Sequence, residues 1–429
     1  MRRFSASPGP RPGIPAAKRA VRTTFALVVA SGAALTSAQP LPLAEAQRIA
    51  AGRSAMVASQ RALVQSAGEL VGPAGELPDA KLVAGLENVP AEGRDRFRLD
   101  RDGMTMARIG VMQEFPRAEK LRARTERARR DAERSAVAVD TAVQAVHREV
   151  AAAWIARWAG EREARAIAAQ IDEAKLQAEL AAAMYRGGRA AQADVLAASA
   201  QTIELANRQA EAELGVERAR SALARYLGAD ADRPLADAPR FDELPPAARG
   251  DAGVAGQPDV RLARAQEAVL DAEAALAGTA KLVDWSAELS YGIRGPDFPN
   301  MVSLMVRVDL PWSPSTRQDR IQLARLHERD AARAAREDLE RSREAEVRQT
   351  RADWRVARER AERIARELVP LADRRVEAAL AAYRGGGGAI GAVLDARRAQ
   401  LDTRIAQIAA DAAAARAWGW LTTLTVAEE

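Results

Sequence analysis

Tyr185-Arg186-Gly187-Gly188 and Tyr383-Arg384-Gly385-Gly386 are one turn written twice, and each closes the same order of elements. Glu114-Phe115-Pro116 precedes the first and Asp309-Leu310-Pro311 the second, in each case an acid, an apolar residue and a proline that stops a strand. Val195-Leu196 and Val393-Leu394 both begin ten residues beyond their tyrosine, so the match continues past the turn. A chance four-residue coincidence would not keep that register, and the chain reads as a structural duplication.

Between each proline stop and its turn the apolar spacing is that of a long helix, over residues 118–184 and 316–382. Val139, Val143, Val146 and Val150 alternate by four and three, and Val347, Trp354, Ala357 and Ala361 fall on the same template, which is a coiled-coil seam. Each helix would reach roughly 100 Å at 1.5 Å per residue. Pro370 alone interrupts the second, where a kink or local adjustment is expected. The turns send the chain back through 190–227 and 389–424, so each copy holds an antiparallel helical hairpin. Gly187 and Gly385 are expected to take the positive φ at which the helices reverse.

Before each proline stop the period changes to two. Residues 80–88 and 104–113 read as two strands around a charged loop, and 284–310 as a second hairpin. Trp285, Ala287, Leu289, Tyr291 and Ile293 share one side, opposite Ser286, Glu288, Ser290, Gly292 and Arg294. Ala107, Ile109 and Val111 share a face, and Val302, Leu304 and Val306 occupy the equivalent positions in the second copy. A helix is expected over Leu43 to Leu70, ended by Gly72-Pro73, and another over Asp259 to Ala280. The segment 228–258, rich in Pro, Gly and Asp, reads as a non-helical linker or belt.

The 429 residues contain no Cys, which excludes disulfides, thiolate metal sites, Cys nucleophiles and an acylated N-terminal Cys. Aromatic residues are 4% against 48% hydrophobic, so Ala-rich helices are favoured over large compact cores. The 64 basic residues are interleaved with 59 acidic ones, which reads as solvated helix faces and not a nucleic-acid stripe. The N-terminus differs: Arg2, Arg3, Lys18, Arg19 and Arg22 precede an apolar run from Phe25 to Leu35, then Thr36-Ser37-Ala38. That reads as an export signal over 1–38, with the mature chain starting near Gln39. The expected organisation is a signal at 1–38, a first repeat at 39–227, a linker at 228–258 and a second repeat at 259–429.

Four strands cannot close a barrel, since the smallest membrane barrels have roughly eight. Three copies would supply twelve strands long enough to cross a bilayer at a tilt, crowned by a tube of helices. The expected fold class is therefore mainly α with a small β part: duplicated helical hairpins forming a coiled-coil tube on a trimeric, 12-stranded outer-membrane β-barrel. On that reading Trp285, Leu289, Ile293, Leu304 and Val306 face lipid.

With this order of elements, and with the Tyr-x-x-Gly turn followed by Val-Leu, the mature chain resembles the TolC-type outer-membrane efflux proteins. Leu86-Glu87-Asn88-Val89-Pro90 and Gly110-Val111-Met112-Gln113-Glu114-Phe115-Pro116 are similar to the branch that works with heavy-metal cation pumps, the CzcC/CusC-like channels. The resemblance implies a homotrimer without enzymatic activity or cofactor. It also implies a periplasmic adaptor (membrane fusion) protein and an inner-membrane resistance-nodulation-division pump as partners, and an outer-membrane location with the tube in the periplasm. Tyr185, Arg186, Gly187, Gly188, Tyr383, Arg384, Gly385 and Gly386 would form the adaptor-docking turns. Asp194 and Asp395, acids just past the turns, are candidates for a periplasmic gate, with helix capping as the plainer role. His147 and His327 lie on helices of different copies and suggest no metal site. The rival reading is a periplasmic coiled-coil adaptor or scaffold without a barrel of its own.

Overall fold

The structure, a computed structural model, describes residues 39–249 and 254–424; the segment read as an export signal lies outside them. Helices α1 (Leu43–Arg53), α2 (Ala55–Glu69) and the single turn α3 (Val71–Ala74) lead into strands β1 (Lys81–Glu87) and β2 (Met106–Phe115). The hairpin of α4 (Ala118–Arg186) and α5 (Gln192–Leu227) follows. A belt containing the short helix α6 (Pro246–Arg249) then leads to α7 (Pro258–Gly278). The second copy continues with β3 (Trp285–Arg294), β4 (Met301–Val308), α8 (Gln318–Arg363), α9 (Val369–Arg384) and α10 (Ile390–Thr422).

The four strands form one antiparallel sheet in the order β1-β2-β3-β4. The two copies therefore join through β2 and β3, where Phe115 opposes Trp285 and the rings stack at 4.2 Å. Strand β2 starts two residues later than its alternation suggests. Asp102 Oδ1 accepts from the Met104 N–H at 2.8 Å and the buried Thr105 donates its hydroxyl to the Asn88 carbonyl at 2.8 Å, so Met104 and Thr105 belong to the loop.

A further correction concerns the first helix, whereas the second long helix shows the local adjustment expected at Pro370. The first expected helix breaks at Ser54, which is extended (φ −65°, ψ 118°) and whose Oγ accepts from the Val57 N–H. Gly52 weakens the helix before the break and Ser54 offers the next one a cap. The second long helix widens into a π turn at Ile364–Leu368, with the Val369 N–H bonded to the Ile364 carbonyl. Pro370 has no N–H and its ring would press on the carbonyl four residues back, so the adjustment sits one turn ahead of it. Its counterpart α4 has no proline and runs unbroken for 69 residues.

The largest core lies at the belt. Trp154 is fully buried among Leu41, Val150, Leu223, Leu227 and Ala231, with Trp158, Phe241 and Trp418 against it. Smaller clusters recur along the tube, around Ile167 and Leu401 and then around Ala181 and Ile390 near the turns. The Arg-rich α8 is tied to α7 by ion pairs. Arg333 and Arg336 reach Glu267 on α7 at 2.9 and 2.8 Å, and Arg264 of α7 reaches Glu340 of α8 at 2.8 Å.

Candidate functional site: the sheet faces and the helical turns

Alternation sorts the sheet into two faces. Leu82, Val111, Leu289 and Leu304 are paired in one row across all four strands, and Ala84, Ile109, Tyr291 and Val302 form the next. Trp285, Leu289, Ile293, Leu304 and Val306 all lie on this side and are exposed, Leu304 by 73%. Leu82 and Leu86 belong to it too; β1 is too short for its own alternation to announce them.

The opposite face carries charges that sequence reasoning missed as a set. Glu87 of β1, Arg108 of β2, Glu288 of β3 and Arg307 of β4 form a ladder of alternating sign. Arg108 bridges Glu87 and Glu288, and Arg307 meets Glu288 at 2.9 Å. Glu288 is 2% exposed, which a carboxylate tolerates only when paired. Glycine opens this face where strands crowd: a Cβ on Gly110 would lie 2.6 Å from the Ser290 Cβ.

At the far end of the hairpins the repeated turns share one closure. The Arg189 N–H bonds to the Met184 carbonyl and the Gly188 N–H to Tyr185; in the second copy Gly387 bonds to Ala382 and Gly386 to Tyr383. This crossed pair of bonds places the left-handed residue at the second glycine of each turn. Gly188 has φ +71° and Gly386 φ +78°, whereas Gly187 (−84°) and Gly385 (−76°) keep a negative φ. The expectation for Gly187 and Gly385 is thus shifted by one residue, because each helix keeps its last bonds through them.

The turn side chains divide. Arg186 and Arg384 are exposed and form no ion pair among the described residues. Tyr185 is exposed, while Tyr383 packs against the Ala181 and Ile390 cluster and donates its hydroxyl to Met184 Sδ at 2.7 Å, tying the two turns together. Asp194 Oδ2 accepts from the Ala191 N–H at 3.1 Å at the start of α5, a capping role. Asp395 is exposed on α10. Further along the hairpins, acids that join the copies include Glu204, paired with Arg398, and Asp402, paired with Arg208 at 2.9 Å. Both lie nineteen residues beyond their tyrosine, a regularity the sequence carried unread. Among the described residues no group of three or more His, Cys, Asp or Glu is placed to hold a metal ion, and no helix is long and apolar enough to cross a membrane.

A strand hairpin and a helical hairpin, a belt, then a second strand hairpin and helical hairpin also occur in solved structures. The chain has the fold of an outer-membrane channel. It superposes on the outer-membrane channel OprN with a TM-score of 0.75 at 19% identity, over 89% of each chain. The Campylobacter jejuni CmeC outer membrane channel matches at 0.74 and 14%, over 90% of this chain and 87% of that one. CusC, described with transmembrane channel formation, matches at 0.75 and 14%, over 89% and 92%. No family model matches this chain, and no curated protein does. The outer-membrane channel fold covers both copies, so neither hairpin is an addition to it.

Proposed function

We propose that the chain is one protomer of a homotrimeric outer-membrane duct, the exit component of a tripartite efflux system, and that it performs no chemistry itself. The observation that carries this reading is the sheet: two rows, apolar but for the Tyr291 hydroxyl, cross four strands whose outer members, β1 and β4, each have one unpaired edge. Exposed edges and an exposed apolar face are both costly in water. Three copies joined edge to edge remove the edges, turn the apolar rows to lipid and enclose the charge ladder. The mature chain then begins near Gln39, and the repeats over 39–227 and 259–429 flank the belt at 228–258.

The helical tube projects into the periplasm, and its turns meet a periplasmic adaptor that couples it to an inner-membrane resistance-nodulation-division pump. Arg186 and Arg384, exposed and without an ion pair among the described residues, are the charges offered there. A heavy-metal cargo rests on the sequence resemblance at 86–90 and 110–116, while the TM-score to CusC equals that to OprN at 0.75. The decisive experiment fractionates cells expressing the protein and crosslinks the membranes. A trimer in the outer membrane is expected; a soluble periplasmic monomer would return the argument to the scaffold reading.

A further inference from the structure

The loop joining β1 to β2 is built more firmly than a connection requires. Its base is closed by the Thr105 hydroxyl on the Asn88 carbonyl and by the Asn88 amide on the Met104 carbonyl at 3.3 Å. Its neck is closed by the Phe97 N–H on the Pro90 carbonyl at 2.8 Å. The β3–β4 loop buttresses it: a Cβ on Gly103 would lie 2.9 Å from the Phe298 ring, and one on Gly295 would lie 2.6 Å from the Asp100 carbonyl.

On this platform Phe97 stands at φ +57°, a strained setting for an aromatic residue, and is 65% exposed. Among the described residues nothing offsets that strain by burying the ring. Leu99 and Met104 are exposed beside it. Four arginines interleave here, at 94, 96, 98 and 101. Asp100 lies 3.6 Å from Arg98, Asp95 4.0 Å from Arg101, and Asp102 is bonded to the Met104 N–H. That leaves Glu92 as the loop acid outside these contacts, against Arg94 and Arg96, neither in an ion pair among the described residues. The Arg96 guanidinium lies 4.8 Å from the centre of the Phe97 ring.

From this juxtaposition we infer that the β1–β2 loop is a docking surface for the phosphate headgroups of anionic lipid, with Phe97 inserted at the headgroup level and Arg94 and Arg96 on the phosphate. The inference rests on the reading of the sheet as membrane-spanning. The loop continues directly from β1 and β2, whose Leu86 and Ala107 carry the apolar face to its base. Aromatic rings settle at the membrane–water interface, and guanidinium groups bind phosphate in two-point fashion.

The test reconstitutes the purified protein into phosphatidylcholine vesicles with and without lipid A, re-extracts it in mild detergent and counts retained lipids by native mass spectrometry. The wild type is expected to retain lipid A over phosphatidylcholine. Loss of two interfacial arginines, in Arg94→Gln/Arg96→Gln, should weaken retention about 25-fold, roughly fivefold each. Phe97→Ser should also weaken it, whereas Arg98→Gln/Arg101→Gln should have the smaller effect. Equal retention by Arg94→Gln/Arg96→Gln and wild type would overturn the inference. So would a Phe97→Ser variant that keeps its lipid but shows higher conductance, which would place the ring over the lumen, or one that keeps its lipid but loses trimer crosslinking, which would place it against a second copy. Insertion and conductance in plain phosphatidylcholine are scored separately. Their failure in the wild type would sink the duct itself, while normal insertion without lipid A preference would sink the loop site alone.

Discussion

The indole N–H groups of Trp154 and Trp354 each donate to a backbone carbonyl 113 residues earlier in the chain, Trp154 to Leu41 at 3.1 Å and Trp354 to Phe241 at 2.8 Å. The equal span makes the N-terminal approach at Leu41 and the belt at Phe241 equivalent parts of the duplication. The belt is therefore held as the opening segment of the second copy as well as a connection between copies.

Trp354→Phe keeps most of the ring but leaves the Phe241 carbonyl without its donor. The expected loss is about 1–3 kcal/mol. Trp154→Ala, at a fully buried site, should cost about 3–5 kcal/mol through the cavity it leaves. Denaturant unfolding of the detergent-solubilised protein measures both, and an unchanged midpoint for Trp354→Phe would deny the pin.

An arginine at Leu289 or Leu304 should destabilise the inserted protein by about 2–4 kcal/mol, the cost of a cation facing lipid near the bilayer midplane. Ser303, exposed on the other face, is the matched control, because Ser290 is wedged against Gly110 and would fail for steric reasons. Heat-resistant trimer yield reads the contrast. Similar tolerance at Leu304 and Ser303 would contradict the assigned faces.

Valine at Gly188 or Gly386 should cost about 1–2 kcal/mol or more, since those residues hold positive φ, whereas valine at Gly187 or Gly385 should cost less. Thermal unfolding ranks the four variants. Arg186→Glu and Arg384→Glu should leave folding unchanged yet lower adaptor crosslinking and resistance, with the exposed Arg348→Glu as control. Full crosslinking by both turn variants would leave the turns a purely structural role.

Asp402→Arg should open the end of the tube by breaking its contact with Arg208, and the exchange Asp402→Arg/Arg208→Asp should restore it. Both side chains are partly exposed, so the stability change should be within about 1 kcal/mol. Single-channel conductance is the readout. A double variant as leaky as the single one would show that the pair does not hold the two copies together.

Glu267 is held below its usual carboxylate range, first by the hydrogen bond from Arg333 and then by Arg336, with partial burial opposing them. A depressed folded-state pKa contributes stability that is complete above the unfolded value, about 4.3, and is lost as pH falls through the folded value. Glu267→Gln should accordingly lower the unfolding temperature at neutral pH and converge on the wild type in acid. A constant gap across that range would mean the pairing with α8 carries no linkage.

The sequence by itself determined the elements and the duplication. Heptad spacing marks the long helices and period two marks the strand faces, because both reflect how neighbouring side chains along one element meet one environment. The repeated Tyr-Arg-Gly-Gly marks the reversals. What only the tertiary structure decided are the relations between distant segments. It joined the hairpins through β2 and β3, and it paired Glu204 with Arg398 and Asp402 with Arg208 across the two copies. Each outcome depends on which donor or charge lies across a gap between elements, as Phe241 lies across from Trp354. Periodicity fixes the face a residue presents, and the packing of whole helices and strands fixes what that face meets.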